Sequence, residues 1–375
     1  MNVLMISFTS LIQELYHGKP REIAKFPDVK LTVLVPPHWK ELWSKQRRRL
    51  ELQRADTYAI EVGKTFFTGN LHFSFFGGKM RELIKNLQPD IIDMEDEPFN
   101  TGSAQVVFLR NRLSPKSRIV MHASQSDVKK YPQPFRFFEE YSYRNVAAML
   151  ARNRDAVHVL QQKGYHGRVE IIPHGVDPSL FTHSRSETKA LVGLPDRFVV
   201  GYIGALAEHK GLDTLLYAVR DLECDLLFIG DGPYRDGLCA LAKKLNIEEK
   251  LHLLSPVPHR EVPKYLAAMD VFVLPSRTMP NWREKFGRVL IEAMAAGIPV
   301  IGSDSGEIPS VVGDCGLIFP EGNIEKLRGW LRVLGKNPAE RENMSARGKL
   351  KIQAQYSWEV IARNTYSVYQ EVLRG

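Results

Sequence analysis

Short apolar runs, many of them β-branched, recur along this chain with spacers of helical length between them. "NVLMIS", "LTVLVP", "DIIDM", "RIVMHA", "AVHVL" and "VEIIPH" occupy the first half, and "FVVGYIG", "DLLFIG", "LHLLSP", "VFVLPS" and "IPVIGS" continue the rhythm in the second. A strand buried on both faces reads as a continuous apolar run, and alternation of such runs with helices predicts doubly wound, mostly parallel α/β sheets. The runs suffice for two sheets. The rhythm breaks across "PHGVDPSLFTHSRSETKALVGLPD", where Pro173, Gly175 and Pro178 precede a polar stretch, so a hinge is expected around residues 175 to 190.

A length of 375 residues favours two domains over one core. The expected organisation is an N-terminal Rossmann-like domain over 1–178, a C-terminal one over 179–357, and a terminal helix from about 358 to 375 that crosses back to the N-terminal domain and is counted with it. That helix is read from Trp358, Ile361, Ala362, Tyr366, Tyr369 and Val372, which recur at helical spacing. Two such domains facing one another create a cleft at the carboxyl ends of their strands, where open α/β sheets bind ligands.

Composition narrows the class. With 44% apolar and 25% charged residues, extensive disorder is excluded. Cys224, Cys239 and Cys315 form no CxxC pair, which argues against a disulfide framework or a zinc site and fits a reducing cytoplasm. "NVLMIS" is too short for a membrane span and lacks the basic lead of a signal peptide. Residues 1–178 hold 26 Lys+Arg against 19 Asp+Glu, so +7 of the net +8 is N-terminal. The Arg47, Arg48, Arg49 and Lys129, Lys130 clusters fit peripheral contact with an anionic membrane at its inner face, a phosphate-bearing acceptor, or simply a solvated face. Nucleic acid is not an expected partner.

Three stretches carry chemistry. In "FVVGYIGALAEHKGLDTLL" a strand ends at Gly204, and a helix begins after Lys210 and Gly211, a turn suited to a diphosphate or equally an ordinary βα loop. "LLFIGDGPYRDGL" departs from GxGxxG and reads as a tight turn, and "FTSLIQELYHGKP" after the first strand has no glycine-rich fingerprint. In "REKFGRVLIEAMAAGIPV" a helix is expected to start near Phe286, placing Glu284 just ahead of it and Glu292 about two turns inside. The N–H groups near Phe286 and Gly287 lie between the carboxylates, where a phosphate fits; helix-dipole support and surface pairing with lysine would also explain both glutamates.

Taken together, "IIPHGVDPSLF", "YIGALAEHKGLDTLL", "FIGDGPYRDGL", "PSRTMPNWREKFGRVLIEAMAAGIPVIGSDSGEIP" and the Trp358 helix closely resemble, in order and spacing, the family 4 retaining glycosyltransferases of the GT-B fold. The resemblance covers the C-terminal half. It implies that Glu284 and Glu292 are the pair of the family's Glu-x7-Glu motif, the first contacting donor-sugar hydroxyls and the second the ribose. Phe286, Gly287 and Arg288 then present the backbone facing the phosphate and sugar, Gly204 ends the strand beneath it, and Lys210 neutralises the leaving diphosphate. The arginine that usually follows that glycine is Ala205 here, a departure that leaves Arg283 or Arg288 as compensating cations. His122 matches the N-domain histidine directed at the donor sugar, with Gln125 the alternative in register. Glu97 in "MEDEPF", Ser10 and His17 are acceptor-side candidates.

No Asp-x-Asp occurs and the histidines lack ligand spacing, so no metal and no cofactor is expected beyond the nucleotide-diphosphate sugar as substrate. The partners implied are that donor and a glycan, lipid-linked or small-molecule acceptor. An inverting GT-B transferase, a nucleotide-sugar epimerase and a non-catalytic nucleotide-sugar-binding module are the competing readings.

Overall fold

The computed structural model describes residues 1–9, 11, 13–40, 47–51 and 54–375, so Ser10 and the side chains of Arg47 and Arg48 lie outside the described residues. The chain divides into a first unit, Met1–Gly175 with Trp358–Gly375, and a second, Val176–Ser357.

The first unit contains β1 (Asn2–Ile6), β2 (Lys30–Val35), β3 (His38–Lys40), β4 (Arg47–Arg49), β5 (Ala59–Val62), β6 (Thr65–Phe66), β7 (Phe75–Phe76), β8 (Ile91–Met94), β9 (Arg118–Ala123), β10 (Ala148–Ala151) and β11 (Arg168–Ile171). A parallel sheet runs β11-β10-β9-β8-β1-β2-β5, while β3–β4 and β6–β7 are separate antiparallel ribbons. The apolar runs become strands because helices cover both faces; every residue of β8 and all of β1 after Asn2 is buried. Each fully buried Ile, Leu or Val contributes about 1.5–3 kcal/mol relative to exposure.

One expected strand is a helix. Ala156–Leu160 ("AVHVL") lies inside the Arg154–Gln162 helix, and the preceding "AMLA" forms β10. Asn153 fixes the boundary, its side-chain oxygen accepting the Ala156 N–H at 2.8 Å, a cap that so short an apolar run cannot outweigh. The terminal helix spans Trp358–Arg374 and buries Trp358, Ile361, Ala362, Val368, Tyr369 and Val372 against core residues from β1 and β2. Tyr366 instead stacks on Phe26 at 3.9 Å and donates its hydroxyl to Asp28.

The second unit contains β12 (Val199–Ile203), β13 (Asp225–Ile229), β14 (Leu251–Leu254), β15 (Val271–Leu274), β16 (Val300–Ser303) and β17 (Leu317–Phe319). The strands are parallel, in the order β14-β13-β12-β15-β16-β17. Counted from β12 this is the order of dinucleotide-binding sheets, which reverses direction between the first and fourth strands and opens a crevice at their carboxyl ends. Here the crevice lies beyond β12 and β15. Among the described residues, no helix is long and apolar enough to cross a membrane.

Candidate functional site

The loops leaving β12 and β15 carry the second unit's charged chemistry. Lys210 follows β12 and Glu284 follows β15, and their Nζ and Oε2 atoms stand 2.7 Å apart. Ser276 donates its hydroxyl to the same Glu284 oxygen at 3.0 Å. The Lys210 ammonium also sits 4.6 Å from the Trp282 ring centroid, a cation–π contact. The loops are tied together further on, the Arg277 N–H donating to the His209 carbonyl and its guanidinium reaching Asp213 at 2.8 Å.

Backbone geometry explains how Glu284 is held ahead of its helix. Gly287 caps the Arg288–Ala295 helix with φ 72°, left-handed backbone that glycine enters without strain. The helix therefore begins two residues later than expected from the sequence. The Glu307 N–H donates to the Glu284 carbonyl, and a Cβ at Gly306 would lie 2.0 Å from that oxygen. Only a glycine lets the two segments meet so closely. Phe286 is buried and meets Tyr356 edge-on.

Glu292 lies in the second turn of the helix, 4% exposed. Its Oε1 receives Arg288 Nε and approaches His259 Nε2, each at 3.0 Å. Burial acts to raise its pKa, but the His259 hydrogen bond and the Arg288 charge hold it below the usual carboxylate range. His259 was not expected from the sequence; it comes from the loop after β14, and a lone histidine in "VPHREV" gives no spacing signal. A hollow of about 220 Å³ lies where the loops after β12, β13 and β14 converge, lined by Gly204, Ala205, Gly230, Asp231, Pro256 and Val257. Ala205 exposes its methyl there while its carbonyl accepts the Tyr202 hydroxyl at 2.8 Å.

In the first unit the structure brings Glu97 and Gln125 together. Glu97 Oε1 accepts from the Ser124 N–H and hydroxyl, its Oε2 accepts from Gln125, and Gln125 accepts from Lys163. Lys163 continues to Glu139 at 2.7 Å.

His122 stands apart from that chain, 3% exposed. Its Nε2 lies 3.1 Å from Lys19 Nζ and 3.2 Å from both Asp93 Oδ1 and Glu95 Oε1. Arg152 also bonds Glu95, and the Tyr369 hydroxyl donates to Asp93. Burial pushes both carboxyls upward, yet the Lys19 and His122 charges around them, with Arg152 at Glu95, keep both below the usual range. The buried network thus engages the Nε2 of His122, because the charged groups there have no water to turn to, while its Nδ1 makes no hydrogen bond among the described residues. His17 is likewise buried, its ring nitrogens bonded to the Tyr58 hydroxyl and the Leu11 carbonyl. Among the described residues, Asp93, Glu95 and His122 are the cluster with metal-ligand spacing, within 4.8 Å. Lys19 supplies the cation among them.

Residues 184–351 match the model of glycosyl transferases group 1. The GDP-mannose-dependent monoacylated alpha-(1-6)-phosphatidylinositol monomannoside mannosyltransferase of Corynebacterium glutamicum is 30% identical over 220 residues, 55% of this chain and 57% of that protein. The D-inositol 3-phosphate glycosyltransferase of Segniliparus rotundus is 28% identical over 223 residues, 56% of this chain and 48% of that one. The chain thus spans about half the length of the curated relatives it matches. The solved structure of Anabaena HepE in complex with UDP and glucose aligns over 99% of this chain and 100% of its own, with a TM-score of 0.71 at 18% identity. The fold is GT-B, and the second unit carries the matched glycosyl transferases group 1 segment.

Proposed function

We propose that the chain is a retaining, metal-independent glycosyltransferase that moves a sugar from a nucleotide-diphosphate sugar to a glycan, lipid-linked or small-molecule acceptor. The observation carrying this reading is the Lys210–Glu284 pair at the crevice of the second unit, its lysine on the loop after β12 that also lines the hollow at Gly204 and Ala205. The nucleoside enters the hollow, and Glu292, oriented by His259 and Arg288, accepts the ribose hydroxyls. The diphosphate lies against the N–H groups that open the Arg288–Ala295 helix, where the helix dipole favours anions. An ammonium has three donors, so Lys210 keeps Glu284 while bonding a departing phosphate oxygen. Glu284 is then oriented to accept hydroxyls of the donor sugar.

Rate enhancement in this scheme comes from positioning and from charge neutralisation as the diphosphate leaves. The attacking hydroxyl approaches from the face the diphosphate vacates and passes its proton to that leaving group, which retains the anomeric configuration without a pair of glycosidase-type carboxylates. The names of the relatives support a nucleotide-sugar donor and inositol-type acceptors, while the UDP in the Anabaena structure leaves the base open. Lys210→Ala is expected to raise the barrier by about 2 to 4 kcal/mol, as loss of a preorganised transition-state group does. Steady-state turnover of a donor sugar measures this, and unchanged turnover removes Lys210 from the mechanism. Anomeric analysis of the product by NMR separates retention from inversion.

A further inference from the structure

The first unit displays aromatic rings at its surface in an arrangement that a fold would otherwise bury. Between β6 and β7 the chain turns through Phe67, whose φ of 53° lies in the left-handed region that a bulky side chain enters only under strain. The same ring is 67% exposed. Strain and exposure at one residue point to a displayed side chain, since a glycine or asparagine there would relieve both. Phe73, 47% exposed, lies 6.4 Å from Phe67 by ring centroids and 5.0 Å from the buried Phe135. Phe135 opens the Phe135–Asn145 helix, which in turn exposes Phe137 at 52%. Phe66, Phe67, Phe73 and Phe135 are linked ring to ring, Phe66 through Phe75, so they form a connected patch on a packed support, unlike singly scattered surface apolar residues.

Cations stand among the rings. Lys64 Nζ is 5.2 Å from the Phe66 centroid, and exposed Lys129 and Lys130 follow exposed Val128 in the loop leading to Tyr131, which packs on the patch through His72. The charge balance agrees: the first unit holds 28 Lys+Arg against 20 Asp+Glu, and the second 23 against 23, so the whole +8 belongs to the first. Phenylalanines that reach the acyl boundary, flanked by lysines at headgroup level, match the chemistry of an anionic lipid surface. A second copy of this surface would set lysines against lysines. A soluble glycan would stack on a ring but has no use for the excess positive charge.

We infer that the patch formed by Phe66, Phe67 and Phe73 with Lys64, Lys129 and Lys130 docks the first unit on a bilayer that carries anionic lipids. The inference goes beyond the proposed transfer reaction and does not depend on it, because none of these residues belongs to the donor site. It is tested by sedimenting the full chain with zwitterionic phosphatidylcholine vesicles and with vesicles enriched in phosphatidylglycerol, at low and high salt. The wild-type protein is expected to partition onto the anionic vesicles and to be released by salt. Phe67→Ser with Phe73→Ser, and separately Lys129→Glu with Lys130→Glu, should each weaken partition at least about tenfold, each surface lysine alone being worth about fivefold. Both variants should keep the wild-type melting profile, and the charge-reversed pair, at exposed positions, guards against a folding defect in the other. Absence of wild-type partition overturns the inference, and so does equal partition of both variants. A wild-type dimer in sedimentation velocity that the phenylalanine variant abolishes, without vesicle binding, would assign the patch to a second copy instead.

Discussion

Glu284 and Glu292 have seven residues between them in sequence and are divided in space by their partners, lysine and serine for the first, histidine and arginine for the second. The resemblance made both legible, because their spacing is local to one loop and helix. His259 was illegible because it meets Glu292 from 33 positions away, and a long-range contact leaves no periodic trace. The buried network of the first unit was hidden for the same reason: Lys19, Asp93, Glu95, His122, Arg152 and Tyr369 come from separate elements. Lys19→Met leaves two buried carboxylates short of their shared cation and should destabilise the first unit by about 3–5 kcal/mol, read from denaturant unfolding. Asp96 gives a pH test. Burial, with Glu95 and Glu97 nearby, pushes its pKa up to about 8 despite the Phe8 N–H that bonds it. The folded state therefore holds this proton where the unfolded chain releases it. Its stabilisation is full at acid pH and is lost as pH rises from about 4 to about 8. Asp96→Asn, which keeps an acceptor for Phe8, should flatten that decline in the difference of unfolding free energies; parallel curves for the two proteins would contradict it.

At the scale of elements, the apolar runs marked most of the parallel strands because burial on both faces writes itself as an unbroken run. It failed where the run was short and a cap decided the outcome, at Ala156–Leu160, and at the sheet edges, where β5 and β17 alternate or expose residues and announce little. The helix that opens after Gly287 was placed to within two residues, the error arising from the left-handed cap. Its entry loop depends on Gly306. Any Cβ there meets the Glu284 carbonyl, and the φ of 52° adds strain. Gly306→Ala should therefore displace Glu284, weakening donor turnover at least about tenfold, the equivalent of 1.4 kcal/mol, while far-ultraviolet circular dichroism stays native. Retained turnover would show that the loop adjusts without moving the carboxylate.

At the scale of the molecule, charge divides along the two units. The second is electrically balanced and holds the crevice with Lys210, Glu284 and Glu292; the first holds the entire net charge and the aromatic patch. The separation was partly visible as a charge imbalance between the halves, but the patch was not, because its rings come from a hairpin, a loop and a helix start that only the fold assembles. In the proposed reaction the second unit binds the diphosphate of a nucleotide sugar through Lys210. Calorimetric titration of the full chain and its Lys210→Ala variant with uridine, guanosine, adenosine and cytidine diphosphates tests it most directly. At least one of these should bind the wild-type protein, and the variant should bind it about ten- to hundredfold more weakly, the worth of a charge-assisted hydrogen bond. Binding of none of them, or equal binding by both proteins, would contradict it.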